Sequence, residues 1–541
     1  MTNTAHLENL QSIFLFLLIL VTIFAVLAQR LKVPYPILLV LAGLGISFIP
    51  HVPRVRLDPN LVFLVLLPPL LYVSAWQTNW REFKGNLATI ASLAVGLVAF
   101  TVWGVAEFAD RFVTALDWKS GFLLGAVAAT TDAIAAAAIA KSIGLPQRIV
   151  DLLEGESLVN DATGLLALEF GLRLLLRGDS PGFTDGALRF LWLIVGGVGV
   201  GLLLGVVVTW LERRVDDGPV EMTISLIVPY AAYLAGEQIN ASGVLAVVAC
   251  GLFLSRRSVG FFSAETRIQV ASSWNALNFI LNGIVFLLMG LQLPYVLSGI
   301  GGFGHRMLMI YGAAFSGVFI CLRLLWVYPA SGLAYWIQTR LLHHKVAPYA
   351  PKSIFVVGWT GMRGVVALAA ALSLPETLGD GRPFTQRNLI IFITFSIILV
   401  TLVVQGLTLP FLIRFLGLAN APGGGLSSEE RDARRTVVQK AIEFLEEGKE
   451  ASEDEADRHV YSDLLHLYGH RLESFSDHRD ENERLFAERP LSRRRELILQ
   501  VTQRERHTLI HLRDTGTIGD DTLRRLEREL DLTEARQSRQ Y

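Results

Sequence analysis

Between residues 10 and 416 the sequence alternates apolar stretches with short loops that carry Lys and Arg. Most stretches approach the ~20 residues a helix needs to cross a bilayer. Where lipid surrounds a chain, its backbone N–H and C=O groups must be satisfied internally, and long apolar runs achieve this as helices. Allowing polar residues where helices face one another, we read thirteen segments, near 10–29, 35–50, 59–77, 88–108, 120–141, 148–176, 188–211, 220–236, 243–256, 268–292, 307–330, 353–375 and 388–416. The fold class expected is an all-α polytopic membrane protein. The mean hydropathy of +0.45 agrees, and the charged residues concentrate after about residue 420. Residues 1–418 therefore read as a transmembrane domain and 419–541 as a cytoplasmic helical tail.

Charge narrows the class. The formal net charge is −1 and no basic stripe stands out, so nucleic acid is excluded as a partner. Cys250 and Cys321 lie in apolar segments, form no disulfide or metal-ligand pattern, and read as small packing residues. Residues 1–10 contain no Lys or Arg, and Arg30 and Lys32 follow the first apolar run where a secretory leader would have a small-residue cleavage site. That run is read as a first spanning helix. Lys and Arg in short loops favour the cytoplasm. With the N-terminus outside, the inner loops hold fourteen: Arg30, Lys32, Arg81, Lys84, Lys141, Arg148, Arg213, Arg214, Arg256, Arg257, Arg267, Arg340, Lys345 and Lys352. The outer loops hold nine: Arg54, Arg56, Arg111, Lys119, Arg177, Arg189, Arg306, Arg382 and Arg387. This bias places the tail in the cytoplasm of a multi-pass protein of the plasma (inner) membrane.

Two segments are irregular in a similar way. The fifth carries Thr130-Thr131-Asp132 in an alanine run, and the twelfth carries Gly358-Trp359-Thr360-Gly361-Met362-Arg363-Gly364. Interrupted helices at matching positions of two halves point to inverted repeats with crossed, broken helices at their centre. Segments one to six would pair with eight to thirteen. Beyond Pro410, Pro422-Gly423-Gly424-Gly425 reads as a hinge. In the tail, Val437, Ala441, Phe444 and Leu445, and later Leu497, Leu499 and Val501, recur at helical spacing, as amphipathic helices packing in a small bundle do. His459, His466 and His470 read as solvated or capping residues, and His343 and His344 as part of a solvated inner loop.

The chemistry concentrates in Gly155-Glu156-Ser157-Leu158-Val159-Asn160-Asp161. An ionised Asp at a bilayer centre costs roughly 2.5 to 3.5 kcal/mol on insertion scales, so such residues line ion pathways or proton relays. Residues three and four apart share a helix face. Glu154, Ser157 and Asp161 thus form one stripe, with Glu156 and Asn160 on the next. A partly dehydrated monovalent cation needs oxygen ligands, which Asp161, Ser157, a Thr hydroxyl and exposed carbonyls supply. Protonation of Asp161 would remove its charge and evict the cation, coupling the two flows if the site faces one side at a time. The competing structural reading makes these acids helix caps or internal ion pairs.

Broken helices leave peptide groups unpaired at membrane depth. An acid near exposed N-termini and a guanidinium near exposed C-termini neutralise half-helix dipoles, so Asp132 and Arg363 are assigned to holding the crossing together, with Thr131 lending oxygen to the ion. Arg323 also needs a partner within the membrane, and Glu156 is the choice.

These motifs carry a resemblance. Gly155 to Asp161, Thr131-Asp132, Leu67-Pro68-Pro69-Leu70-Leu71, Gly361-Met362-Arg363-Gly364, Pro229 to Glu237 leading into Ser242-Gly243-Val244-Leu245-Ala246, and Val403-Val404-Gln405-Gly406-Leu407-Thr408 resemble the sodium/proton antiporters of the cation/proton antiporter superfamily. In the tail, Leu512 to Ile518 and Leu530 to Ala535 are similar to its bacterial form. The resemblance implies thirteen helices in a dimerisation part and a core part, working as a homodimer by an elevator-like shift. It implies Asp161 as the carboxylate for cation and proton, Asn160 as its neighbour, and Ser157 and Thr131 as further ligands. The pair Asn160-Asp161 is similar to the electroneutral branch, one proton for one cation. The chain departs from the family pattern at Ala133, where Pro is usual, and at Val73-Ser74-Ala75-Trp76, where many relatives carry an acid.

The function expected is exchange of Na+, with Li+ or K+ as further candidates, for H+ across the plasma membrane. The partners are those ions, membrane lipid and a second copy of the chain, with no cofactor and no enzymatic activity. The rival is a cation channel or ion-sensing membrane protein gated by the tail, but a channel needs a continuous axial pore. An intramembrane aspartyl protease would have only Asp132 and Asp161 as its couple and lacks the glycine-flanked Asp. A proton-coupled carrier of organic anions would need a cationic pocket, whereas Arg323 and Arg363 are committed to pairing.

Overall fold

The computed structural model describes residues 2–473 other than 32, 51–56, 79, 133–135, 138–144, 178–182, 216, 258–263, 301–302, 342, 344–349, 379–380, 419–427 and 453, with isolated positions between 501 and 526. The chain forms two compact units, Met1–Pro422 and Gly423–Tyr541.

In the first unit the apolar runs become helices: α1 (Thr2–Leu31), α2 (Tyr35–Ile46), α3 (Leu61–Gln77), α4 (Trp80–Gly85), α5 (Leu87–Phe112), α6 (Trp118–Ala129), α7 (Gln147–Arg177), α8 (Phe183–Glu212), α9 (Gly218–Gln238), α10 (Gly243–Arg257), α11 (Ala264–Leu291), α12 (Leu293–Ser298), α13 (His305–Leu341), α14 (Pro351–Trp359), α15 (Val365–Leu372) and α16 (Arg387–Phe415). Among the described residues, six stretches are individually long and apolar enough to cross a membrane, within α1, α5, α8, α11 through α12, α13 and α16. The others are short, polar or interrupted, as helices shielded by neighbours are free to be. Several differ from the sequence expectation in extent. The first begins at Thr2 and not near residue 10, the second ends at Ile46, the segment expected over 120–141 is interrupted after Ala129, where Thr130 turns to extended backbone, and that expected over 307–330 continues to Leu341.

Among the described residues, four wide, π-type turns lie within or at the ends of these helices, at Leu61–Leu66, Ser92–Leu97, Ile337–Leu341 and Thr401–Gln405. The first has a direct cause. Pro68 and Pro69 carry no N–H, so the carbonyls one turn earlier lose their usual donors. One of these, on Val65, accepts instead from the Tyr230 hydroxyl of α9 at 3.1 Å. In the second, the Ser92 carbonyl accepts from the Trp326 indole of α13 at 3.2 Å.

The helices pack as two sets. In one, α2 lies on α11, and α3, α8, α9 and α10 pack around one another. In the other, α5, α6, α7, α13, α14, α15 and α16 pack together. We call these the frame and the core. Within the frame, Gly197, Gly201 and Gly205 recur every fourth residue along α8 and let α10 approach backbone to backbone. A Cβ at Gly197 would stand 2.6 Å from the Ser242 carbonyl oxygen, and one at Gly205 2.7 Å from the Phe253 ring. Gly199 faces open space. Gly201→Leu should therefore reduce the monodisperse peak of detergent-extracted protein on fluorescence-detected size exclusion to a small fraction, while Gly199→Leu keeps it. Equal peaks would disprove the seam.

The second unit contains α17 (Ser428–Ala451) and α18 (Glu455–Glu473), packed on each other. Gly448 permits the contact, because a Cβ there would stand 2.7 Å from the Tyr461 ring. The buried stripe of α17 runs through Val438 and Leu445, leaving Val437 and Phe444 exposed at 68% and 70%. This shifts by one residue the face expected from sequence, because a single partner helix covers a narrow stripe. His459 and His466 are exposed, as is Val501. Leu497, Leu499 and nearly all of the tail motifs lie outside the described residues.

Candidate ion-binding site

The site is built where two helices stop short in the core. Helix α6 ends at Ala129, and Thr130 to Asp132 continue as irregular backbone. Opposite, α14 ends at Trp359 and α15 begins at Val365. The Asp132 N–H donates to the Met362 carbonyl at 2.8 Å, tying the breaks together. Arg363 satisfies carbonyls left open on both sides: its Nε donates to Ala128 O at 2.7 Å and its Nη1 to Gly361 O at 2.8 Å. Its own N–H donates to Thr401 Oγ1 at 3.2 Å, in the wide turn of α16. The guanidinium also lies 5.5 Å from the Phe319 ring centre. Asp132 sits beside the start of α15, where the dipole favours an anion. A Cβ on Gly364 would approach Asp132 Cβ to 2.6 Å, so only glycine fits there. Ala133 lies outside the described residues. Of the loop histidines, His343 is exposed and His344 lies outside the described residues.

Helix α7 passes this crossing with its polar residues inward. The Ser157 hydroxyl donates to the Thr131 carbonyl at 2.7 Å. The Asn160 amide bridges Thr131 twice, Nδ2 donating to Thr131 Oγ1 and Oδ1 accepting from Thr131 N–H at 3.3 Å. Thr131 Oγ1 lies 3.4 Å from Glu156 Oε1 as a donor. Glu156 in turn meets Arg323 of α13 in a fork, at 2.5 Å (Nη1 to Oε1) and 2.8 Å (Nη2 to Oε2). Arg323 Nη2 also donates to the Val357 carbonyl at 3.1 Å, near the end of α14. Both members of this pair are buried. Such bidentate pairs fix orientation as well as charge.

Asp161 stands apart from these networks. It is 5% exposed, and among the described residues no hydrogen bond or ion pair holds its carboxylate. It lines a cavity of about 220 Å³ between core and frame. The core wall comprises Thr130, Thr131, Asp132, Glu154, Ser157, Asp161 and Gly364 to Val366, and the frame wall includes Tyr35, Leu67, Leu70, Leu71, Ser74, Gln77 and Asn278. Four of the residues read from sequence, Thr131, Ser157, Asp161 and Asp132, thus share one cavity. Asn160 and Glu156 lie behind its wall, so Asn160 positions Thr131 and does not itself face the cavity. Sequence reasoning missed Thr130, Ser74, Gln77 and Asn278. Thr130 Oγ1 is buried with no hydrogen-bond partner among the described residues, and its place beside Thr131 at the break was the available signal. Of the three frame residues, Ser74 and Gln77 lie on α3 and Asn278 on α11, and nothing in the sequence links those helices to the break.

The arrangement offers carboxylate, hydroxyl and carbonyl oxygens around a space the size of a few waters, the donor set of a hard cation or a proton. Comparison with known proteins agrees. The model of the transmembrane sodium/hydrogen exchanger family matches residues 15–415. An uncharacterized Na+/H+ exchanger of Mycobacterium tuberculosis, Rv2287, is 34% identical over 524 residues, covering 95% of this chain and 94% of its own. A sodium, potassium, lithium and rubidium/H+ antiporter of Bacillus subtilis is 30% identical over 532 residues, covering 94% and 76%. The sodium proton antiporter MjNhaP1 of Methanocaldococcus jannaschii superposes with a TM-score of 0.57 at 20% identity, over 76% of this chain and all of that one, a likeness of fold. The family match over residues 15–415 and the 34% identity along nearly the whole length make this chain a member of the sodium/hydrogen exchanger family.

Proposed function

We propose that the protein exchanges Na+, and by the same chemistry Li+ or K+, for H+ across the plasma membrane by alternating access, with cation and proton competing for Asp161. The observation that carries this reading is a buried carboxylate on a cavity wall that no ion pair holds among the described residues. An uncompensated buried charge is costly, so a mobile positive ligand has a place there. Thr131 and Ser157 supply further oxygens, and Thr130 is added to that set. The names of the relatives, which include sodium, potassium, lithium and rubidium antiporters, support monovalent cations as substrates.

Exchange is proposed to be electroneutral. Asn160 occupies the position beside Asp161 and carries no charge, while Glu156 is paired with Arg323. One titrating carboxylate then carries one positive charge in either direction. The reading extends to a homodimer with N-termini outside and tails in the cytoplasm, acting without enzymatic chemistry or a cofactor.

Proteoliposomes containing the full chain test this by ion replacement. Na+ should drive proton movement, and lowering the pH should raise the Na+ concentration for half-maximal rate, because protons then occupy Asp161 more of the time. Setting the membrane potential with a gradient of the lipophilic cation tetraphenylphosphonium, which is too large for the site, should leave the Na+-driven rate unchanged. Absence of Na+-driven proton movement would refute exchange, and a rate that follows the clamped potential would refute one-for-one stoichiometry.

A further inference from the structure

Glu154 lines the same cavity as Asp161. Glu154, Ser157 and Asp161 rise along one face of α7, and at 1.5 Å per residue Glu154 stands about 10 Å from Asp161 along the axis, with Ser157 between. Exposure along the cavity is graded. Gln77 is exposed; Glu154, Ser74 and Asn278 are half-buried; Asp161 and Thr131 are buried. The cavity thus has a mouth at the Glu154 end and a floor at Asp161. Across the mouth, the described frame residues include neutral amides: Gln77 Nε2 donates to Asn275 Oδ1 at 3.4 Å, and Asn278, on the same helix as Asn275, lines the cavity. Helix α3 contributes Ser74 to the wall. Among the described residues lining this end of the cavity, the acid is Glu154 of the core.

We propose that Glu154 is a cation-recruiting carboxylate of the transport path: it holds the incoming ion at the mouth and passes it by way of Ser157 to Asp161. This rests on the exchange reading of the same cavity. A carboxylate in a cleft with low-dielectric walls raises the local cation concentration and speeds capture. Since Glu154 rides on α7 with Asp161, its effect belongs to the face on which this mouth opens.

The test is Na+-driven proton movement by the full chain in everted and right-side-out vesicles, at low ionic strength and with added choline chloride. Glu154→Gln should raise the half-saturating Na+ concentration about tenfold on one face, the low end of the effect of charge-lined clefts, and leave the maximal rate within about twofold. The difference should shrink on adding choline chloride, which screens the carboxylate. Glu154→Asp should restore most of the affinity. Should Glu154→Gln fail to assemble, Gln77→Glu, which adds an acid across the mouth, should lower half-saturation on that face. Unchanged half-saturation in these variants, or an equal rise on both faces, would overturn the role of Glu154 while leaving exchange intact. No exchange by the unaltered chain would overturn both.

Discussion

Asp161→Asn should bring Na+-dependent proton movement in everted vesicles down to background. The amide has the volume of the carboxylate but neither titrates nor carries charge, so it can neither release a proton to an arriving cation nor balance the cation's charge. The variant should nevertheless fold. No hydrogen bond or ion pair to Asp161 is present among the described residues, and an unpaired ionised carboxylate costs far more to bury than a neutral amide, so the replacement relieves part of that penalty. Thermal unfolding in detergent should therefore occur at the same temperature as the parent or higher. Full transport by this variant would remove Asp161 from the mechanism. Loss of transport with a large drop in unfolding temperature would assign it a structural role.

The second large effect concerns the Glu156–Arg323 fork. Both side chains are buried in the core, and removing one member leaves a bare charge, at a cost of about 3–5 kcal/mol. Glu156→Gln and Arg323→Met should each lower the unfolding temperature steeply. The double replacement Glu156→Met with Arg323→Met should be far more stable than the sum of the two losses, since an apolar pair of similar volume is often neutral. Transport should not follow stability. Glu156 also accepts from the Thr131 hydroxyl, so the double variant should fold while its Na+ half-saturation stays elevated. Additive destabilisation in the thermal assay would mean the two residues do not act as a pair.

Much of this architecture is legible in the residues, for a physical reason. A bilayer leaves long apolar runs little choice but helix, so boundaries such as Phe183–Glu212 and Arg387–Phe415 fall close to the hydropathy limits. The crossing was legible because Asp132 and Arg363 stand in segments otherwise too apolar to hold a charge. The Arg323 to Glu156 contact, 167 residues apart, follows from the need to neutralise a membrane arginine. Features set by geometry between helices were not legible. Helical spacing puts Asn160 next to Asp161, but only the position of the broken α6 segment turns its amide to Thr131 and away from the cavity. The wide turn before Pro68 and its use of the Tyr230 hydroxyl depend on where α9 lies. In α17 the hydrophobic stripe was readable, yet which edge of it was covered depended on Tyr461 of the partner helix.

The glycine seam between α8 and α10 limits how this machine can move. With Gly197, Gly201 and Gly205 dovetailed against Ser242, Ala246 and Phe253, turning or sliding α8 would bring Val198, Val200 or Leu204 into spaces that admit only a hydrogen atom. That pair of helices is keyed in a single register and cannot act as a hinge. In the exchange proposed above, the displacement that would carry Asp161 from one aqueous side to the other is then expected at the looser, cavity-lined boundary, so the gearing of the cycle would be set by which surface is smooth and which is notched.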